Sequence, residues 1–275
     1  MLGAMSTDLW LLPLGVLVGA LGTLIGAGGG FLLVPILLLL DPNDPPETIT
    51  SMSLAVVFLS ALSGSVAYAR MKRIDYVSGL TFAACTIPGA VLGAFATRYL
   101  PRRAFDVIFG VVLIVAGIAL LVAHEKRPRE TRSDAIGRAR RVVVEADGTR
   151  HEYSYRLAVG ILLSVFVGFA SSLLGIGGGI IHVPALVYLL NFPVHVATAT
   201  SHFILVFTAL AGTTVHWTTG TLTHGLRRAA WLGAGAVLGA QIGARWSERV
   251  QGKWIIRGLA VGLVFVGVRI LWLAF

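Results

Sequence analysis

One stretch of the chain occurs twice, 149 positions apart: Gly22 to Pro35 reads GTLIGAGGGFLLVP, and Ser171 to Pro184 reads SSLLGIGGGIIHVP. In each copy three adjacent glycines, Gly28, Gly29 and Gly30 or Gly177, Gly178 and Gly179, interrupt an apolar run, and a proline follows five residues later. Glycine weakens a helix, opens the left-handed region and lets another group approach the bare backbone. Each copy therefore predicts a helix broken in mid-course, and the pair predicts an internal duplication. The correspondence continues downstream: Ser53, Ser60 and Gly64 are answered by Ser201, Thr208 and Gly212, and Gly89 to Ala94 (GAVLGA) by the identical Gly235 to Ala240.

The surroundings of this element are those of a membrane protein. Hydrophobic residues make up 56% of the chain and charged ones 13%, with runs long enough to cross a bilayer. Leu9 to Leu40 is apolar for 32 residues, about 48 Å as one helix against a hydrocarbon core of about 30 Å. Two half-helices of roughly 18 and 11 residues, re-entrant or sharply kinked at the glycines, absorb the excess. Three further apolar segments follow in each half, near 49–69, 76–97 and 105–123 and again in the second half. The expected fold is an all-α polytopic membrane protein of two homologous repeats, residues 1–123 and 156–275. Each repeat has one glycine-broken helix and three transmembrane helices. Between them, 124–155 is polar and basic, with an Asp147-Gly148 turn flanked by β-branched residues that points to a small hairpin over 141–153. The first apolar run lacks a basic n-region and a cleavage site, so it reads as an uncleaved membrane segment.

Charge bears on orientation and partners. The formal net charge is +9, yet the basic residues sit in connecting loops and nine fall in or beside the central one. That is the positive-inside pattern of a cytoplasmic loop, not a nucleic-acid surface. If each broken helix leaves on the side where it began, the repeats are inverted, with sixteen basic residues on the loop side against six; parallel repeats give fifteen against seven. Both satisfy the bias, and the recurrence of inverted repeats around broken helices in transporters favours inversion.

The chemistry offered is that of an uncharged anion site. A half-helix beginning after the glycines aims N–H groups and the positive end of its dipole into the protein, and hydroxyls of Thr50, Ser53, Thr200 and Ser201 are placed to complete the shell. His202, next to Ser201, is a further donor and a group able to titrate near neutral pH. All thirteen carboxylates lie outside or at the ends of the apolar runs. No dinucleotide fingerprint, phosphate loop or nucleophile elbow occurs. The spacings of His182, His195, His202, His216 and His224 fit no compact metal motif, and the single cysteine, Cys85, forms no intrachain disulfide. No cofactor, no metal and no enzymatic activity are expected.

The pattern Gly-x-Gly-Gly-Gly-x-x-x-Val-Pro in two halves, each followed by a Thr/Ser-rich segment (Thr50 to Ser53, Thr198 to Ser201), resembles the TauE/SafE sulfite exporter family of membrane permeases. The first copy fits at Gly26, Gly28, Gly29, Gly30, Val34 and Pro35, the second at Gly175, Gly177, Gly178, Gly179, Val183 and Pro184. His182 and His202 stand where apolar residues are expected. The resemblance implies movement of sulfite, an organosulfonate or a related sulfur oxyanion across the bacterial cytoplasmic membrane, most simply as an exporter; the sequence leaves open whether the protein in its lipid is a monomer or a homodimer. An anion channel with a glycine-lined filter is the alternative.

Overall fold

The computed structural model describes residues 8–122, 138–247 and 253–274. The chain forms α1 (Leu11–Ile25), α2 (Gly30–Leu40), α3 (Pro46–Arg70), α4 (Tyr76–Thr97) and α5 (Arg102–Val122), then strands β1 (Arg138–Val144) and β2 (Arg150–Arg156). It continues with α6 (Leu157–Leu174), α7 (Gly179–Tyr188), α8 (Val194–Thr218), a 3-10 turn (Thr221–His224), α9 (Leu226–Trp246) and α10 (Lys253–Ala274). Among the described residues, four helices, α3, α4, α6 and α8, are long and apolar enough to cross a membrane. The outer part of the basic central loop, with Lys126, Arg127, Arg129 and Arg132, lies outside the described residues.

Large apolar side chains are exposed as well as buried. Leu162, Phe265 and Leu92 are 74%, 66% and 63% exposed, while Thr23, Thr50, Ser53, Ser60, Ser171, Thr200 and His202 are fully buried. Apolar side chains face outward to hydrocarbon, and polar ones are kept where protein can satisfy them.

The helices pack across the two halves. α1 runs alongside α9, with Gly15 and Gly19 against the backbone of Leu232 and Ala236, and Gly235, Gly239 and Gly243 against that of Leu12, Val16 and Ala20. α4 runs alongside α6 in the same way, Gly89 on Val165 and Gly93 on Phe169. Numbers rise together along both seams, so each pair is parallel, and a Cβ at these glycines would strike a carbonyl of the neighbour. Small residues permit this close approach, which supplies the packing that drives helix association in lipid. α3 packs on α8, and α5 on α10.

Ion pairs and rings fix the two ends of the bundle. Arg227, at the start of α9, pairs with Asp8 before α1 (2.7 Å), while Arg228 pairs with Asp41 after α2 (2.8 Å). The α1–α2 unit therefore begins and finishes at one end, the far end. At the other, Tyr153 and Tyr155, just before α6, lie with ring centroids 4.4 and 5.2 Å from that of Phe192, just after α7. The α6–α7 unit thus begins and finishes at this hairpin end.

β1 and β2 pair antiparallel from Arg138↔Arg156 to Val144↔Arg150. A two-stranded hairpin is marginal alone in water, and here it is tied down. The Ala146 N–H donates to Met71 O, Arg73 pairs with Glu145 at 2.6 Å, and the Tyr153 hydroxyl donates to Asp75 at 2.7 Å. Asp75 also caps α4 by accepting from the Ser78 N–H. Burial, then the neighbouring Asp75 carboxylate, push the Tyr153 phenol above its usual range, so it stays protonated and donates.

Candidate functional site: two helix breaks that abut

α1 ends at Gly26, whose φ is +80°, and the N–H groups of Ala27 and Gly28 fold back onto Gly22 O. α2 starts after Gly29 (φ +85°); a Cβ there would lie 2.7 Å from Val18 O, so the chain has doubled back beside α1. The second half repeats this with Gly175 (φ +70°), Gly177 (φ +77°) and Gly178 (φ +77°), the N-cap of α7. Side chains rarely adopt this backbone, and the neighbours leave no room for one.

The breaks touch one another. A Cβ on Gly30 would sit 2.6 Å from Gly175 O, and one on Gly179 would strike Gly26 O and the backbone of Ala27. Ser53 Oγ donates to Gly175 O at 2.6 Å and Ser201 Oγ to Gly26 O at 3.2 Å. The C-terminal, electronegative ends of α1 and α6 are thereby capped by hydroxyls from the opposite half. Among the described residues, the N–H groups of Gly29, Gly30 and Phe31, and of Gly178, Gly179 and Ile180, have no backbone acceptor. These are the first-turn donors of α2 and α7, where the helix dipole is positive.

The hydroxyls expected in the shell are divided. Ser53 and Ser201 lie at the breaks, but each has committed its proton to a carbonyl. Thr50 Oγ1 donates to Glu47 O within its own helix, and Thr200 Oγ1 accepts from the Asp75 N–H at the hairpin end. His202 is beside the break, its Nε2 3.2 Å from Thr23 Oγ1, with the Tyr68 ring edge-on and the Tyr68 hydroxyl on Thr23 O.

Other groups hold unused polar atoms. Ser60 Oγ, Ser171 Oγ, Ser172 Oγ and His182 Nε2 are buried without a partner among the described residues. Ser171 is the nearest of these to a break, because a Cβ on Gly178 would lie 3.1 Å from its Oγ. The signal for it was its place as the first residue of the second glycine motif. Among the described residues, no group of three His, Cys, Asp or Glu side chains is placed to hold a metal ion.

The family model Sulfite exporter TauE/SafE matches residues 11–270. The chain belongs to this family. Among curated relatives, "Probable membrane transporter protein YunE" of Bacillus subtilis is 32% identical, over 95% of this chain and 96% of that protein. A "Probable membrane transporter protein" of Methanocaldococcus jannaschii is 29% identical over 78% of this chain and 75% of its own length. One from Xylella fastidiosa is 23% identical over 93% and 91%. No solved structure gives a significant match. The TauE/SafE match spans both breaks and reaches into every described helix, so the chain is a multi-pass membrane transporter.

Proposed function

We propose that the protein is a secondary transporter of a small sulfur-containing anion such as sulfite or an organosulfonate, held between the N-termini of α2 and α7. The observation that carries this is the meeting of the two breaks, with unpaired first-turn N–H groups on both and the carbonyl ends capped. Backbone donors bind an oxyanion without a fixed counter-charge, so the ligand is released as readily as it is taken. Ser171 and His202 are side-chain donors beside the breaks not committed to a break carbonyl.

The two halves act as inverted repeats. α1 and α9 start together at the far end, α6 and α4 start together at the hairpin end, and α1 corresponds to α6, so corresponding helices run in opposite senses. Rocking of one repeat against the other then opens the breaks to each face in turn. The positive-inside bias of the basic loop supports a cytoplasmic hairpin end, with the protein in the bacterial cytoplasmic membrane.

The test is flux of radiolabelled sulfite, sulfoacetate, thiosulfate and sulfate in proteoliposomes. Saturable uptake, accelerated by unlabelled anion on the opposite side and abolished in Gly29→Val and Gly178→Val proteins that still insert, is the expected result. Undiminished flux in both variants overturns the site, and single-channel conductance makes the protein a channel.

A further inference from the structure

A cavity of about 560 Å³ opens at the hairpin end, lined by Arg70, Arg73, Arg245, Gln241 and the hairpin turn from Glu145 to Asp147. Among the described residues its charges are not matched. Arg73 is held by Glu145, which also takes His151 (2.8 Å), whereas Arg70 and Arg245, both exposed, have no ion-pair partner among the described residues. Among the described residues, Asp147 is the opposing carboxylate left on the rim, and its Oδ1 accepts from the Thr149 N–H. The far-end cavity, about 850 Å³, is different: its Arg227 and Arg228 are paired with Asp8, Asp41 and Asp44, and Glu47 lines it as well.

From the arginine cavity a polar seam leads inward between α3 and α9. Gln241 Nε2 donates to Ser63 O and to Ser63 Oγ, at 2.7 and 2.9 Å. One turn deeper on α3 is Ser60, with its unpartnered Oγ, and beside Ser63 is Gly64, where a Cβ would lie 2.5 Å from His202 Nε2. His202 contacts Thr23, three residues before the first break.

The duplication supplies an internal control. By the correspondence of Ser53 with Ser201 and of Gly89 with Gly235, the positions equivalent to Arg70, Ser63, Gln241 and Arg245 are Thr218, Ala211, Phe95 and Tyr99. The fold does not require the polar residues, since its other half is built without them. Resting on the transporter reading above, we infer that this cavity is an anion-capture vestibule: Arg70 and Arg245 concentrate a small oxyanion at the hairpin face and the Gln241–Ser63 seam passes it toward the breaks. Unpaired guanidinium groups on low-dielectric walls raise the local anion concentration, and salt weakens them over a Debye length of about 10 Å at 0.1 M.

Two measurements test this. In oriented proteoliposomes at low salt, Arg70→Gln/Arg245→Gln should raise the sulfite concentration for half-maximal flux about tenfold when sulfite is presented to the hairpin face. The far-face value should stay unchanged, the difference should shrink in 0.5 M salt, and Asp147→Asn should lower the hairpin-face value. Equal effects on both faces, or none, overturn the vestibule. Independently of transport, Met71→Cys in a Cys85→Ser background places a thiol in the cavity. An anionic methanethiosulfonate should label it several-fold faster than its trimethylammonium analogue, and the two arginine substitutions should remove that preference; a ratio near one in the parent overturns the proposal. If the parent moves no sulfite but the labelling preference holds, the assigned substrate fails and the vestibule stands.

Discussion

At the residue scale, left-handed glycines and cross-braced serines make distinct demands. Gly29 and Gly148 both have positive φ, +85° and +88°, but a Cβ at Gly29 meets Val18 O, while one at Gly148 meets nothing within 4 Å. Gly148→Ala should therefore lose only the backbone preference, about 1–2 kcal/mol. Gly29→Ala should lose visibly more, read as the drop in thermal midpoint in detergent. Ser53→Ala and Ser201→Ala each leave a buried carbonyl bare, for which a loss of about 1–3 kcal/mol is expected, and Thr50→Ala should be milder because its hydroxyl only returns to its own helix. The glycines were legible in the sequence because they repeat. The serine partners were not, since Ser53 bonds to Gly175 and Ser201 to Gly26, and no local pattern reveals which half a hydroxyl will face. For the same reason the glycine motif alone does not mark Ser171 as a donor.

At the element scale, the broken helices are 15 and 11 residues long in the first half, against about 18 and 11 from hydropathy, because Leu9 and Trp10 precede the helix and the glycines stop it at Ile25. The hairpin ladder reaches 138–156 rather than 141–153. Arg138, Ala139 and Arg140 carry no strand pattern, and their pairing is fixed by Tyr153 and Tyr155 docking on α4 and Phe192. Tyr153→Phe removes the donor to Asp75 and should raise hydrogen exchange across β1 and β2 while leaving α1–α2 protected. If exchange is unchanged, ring packing rather than the hydroxyl holds the hairpin.

At the scale of the whole molecule, ion pairs that join Asp8 and Asp41 to neighbouring arginines, and rings that join Tyr153 to Phe192, put the ends of each broken unit together. Charge counts along the sequence are almost equal for parallel and inverted repeats, and these long-range contacts are what support the proposed inversion. Membrane-impermeant labelling of Asn43→Cys and Gly148→Cys, in a Cys85→Ser background, should mark opposite faces of intact cells. The central claim, that backbone amides of two abutting breaks hold the anion, is tested most directly by titrating sulfite into protein labelled with 15N-glycine and following the amide resonances. Gly29, Gly30, Gly178 and Gly179 should shift together and saturate, while Gly220, at the far end, stays still. Saturable sulfite flux with those four resonances unmoved would contradict the account.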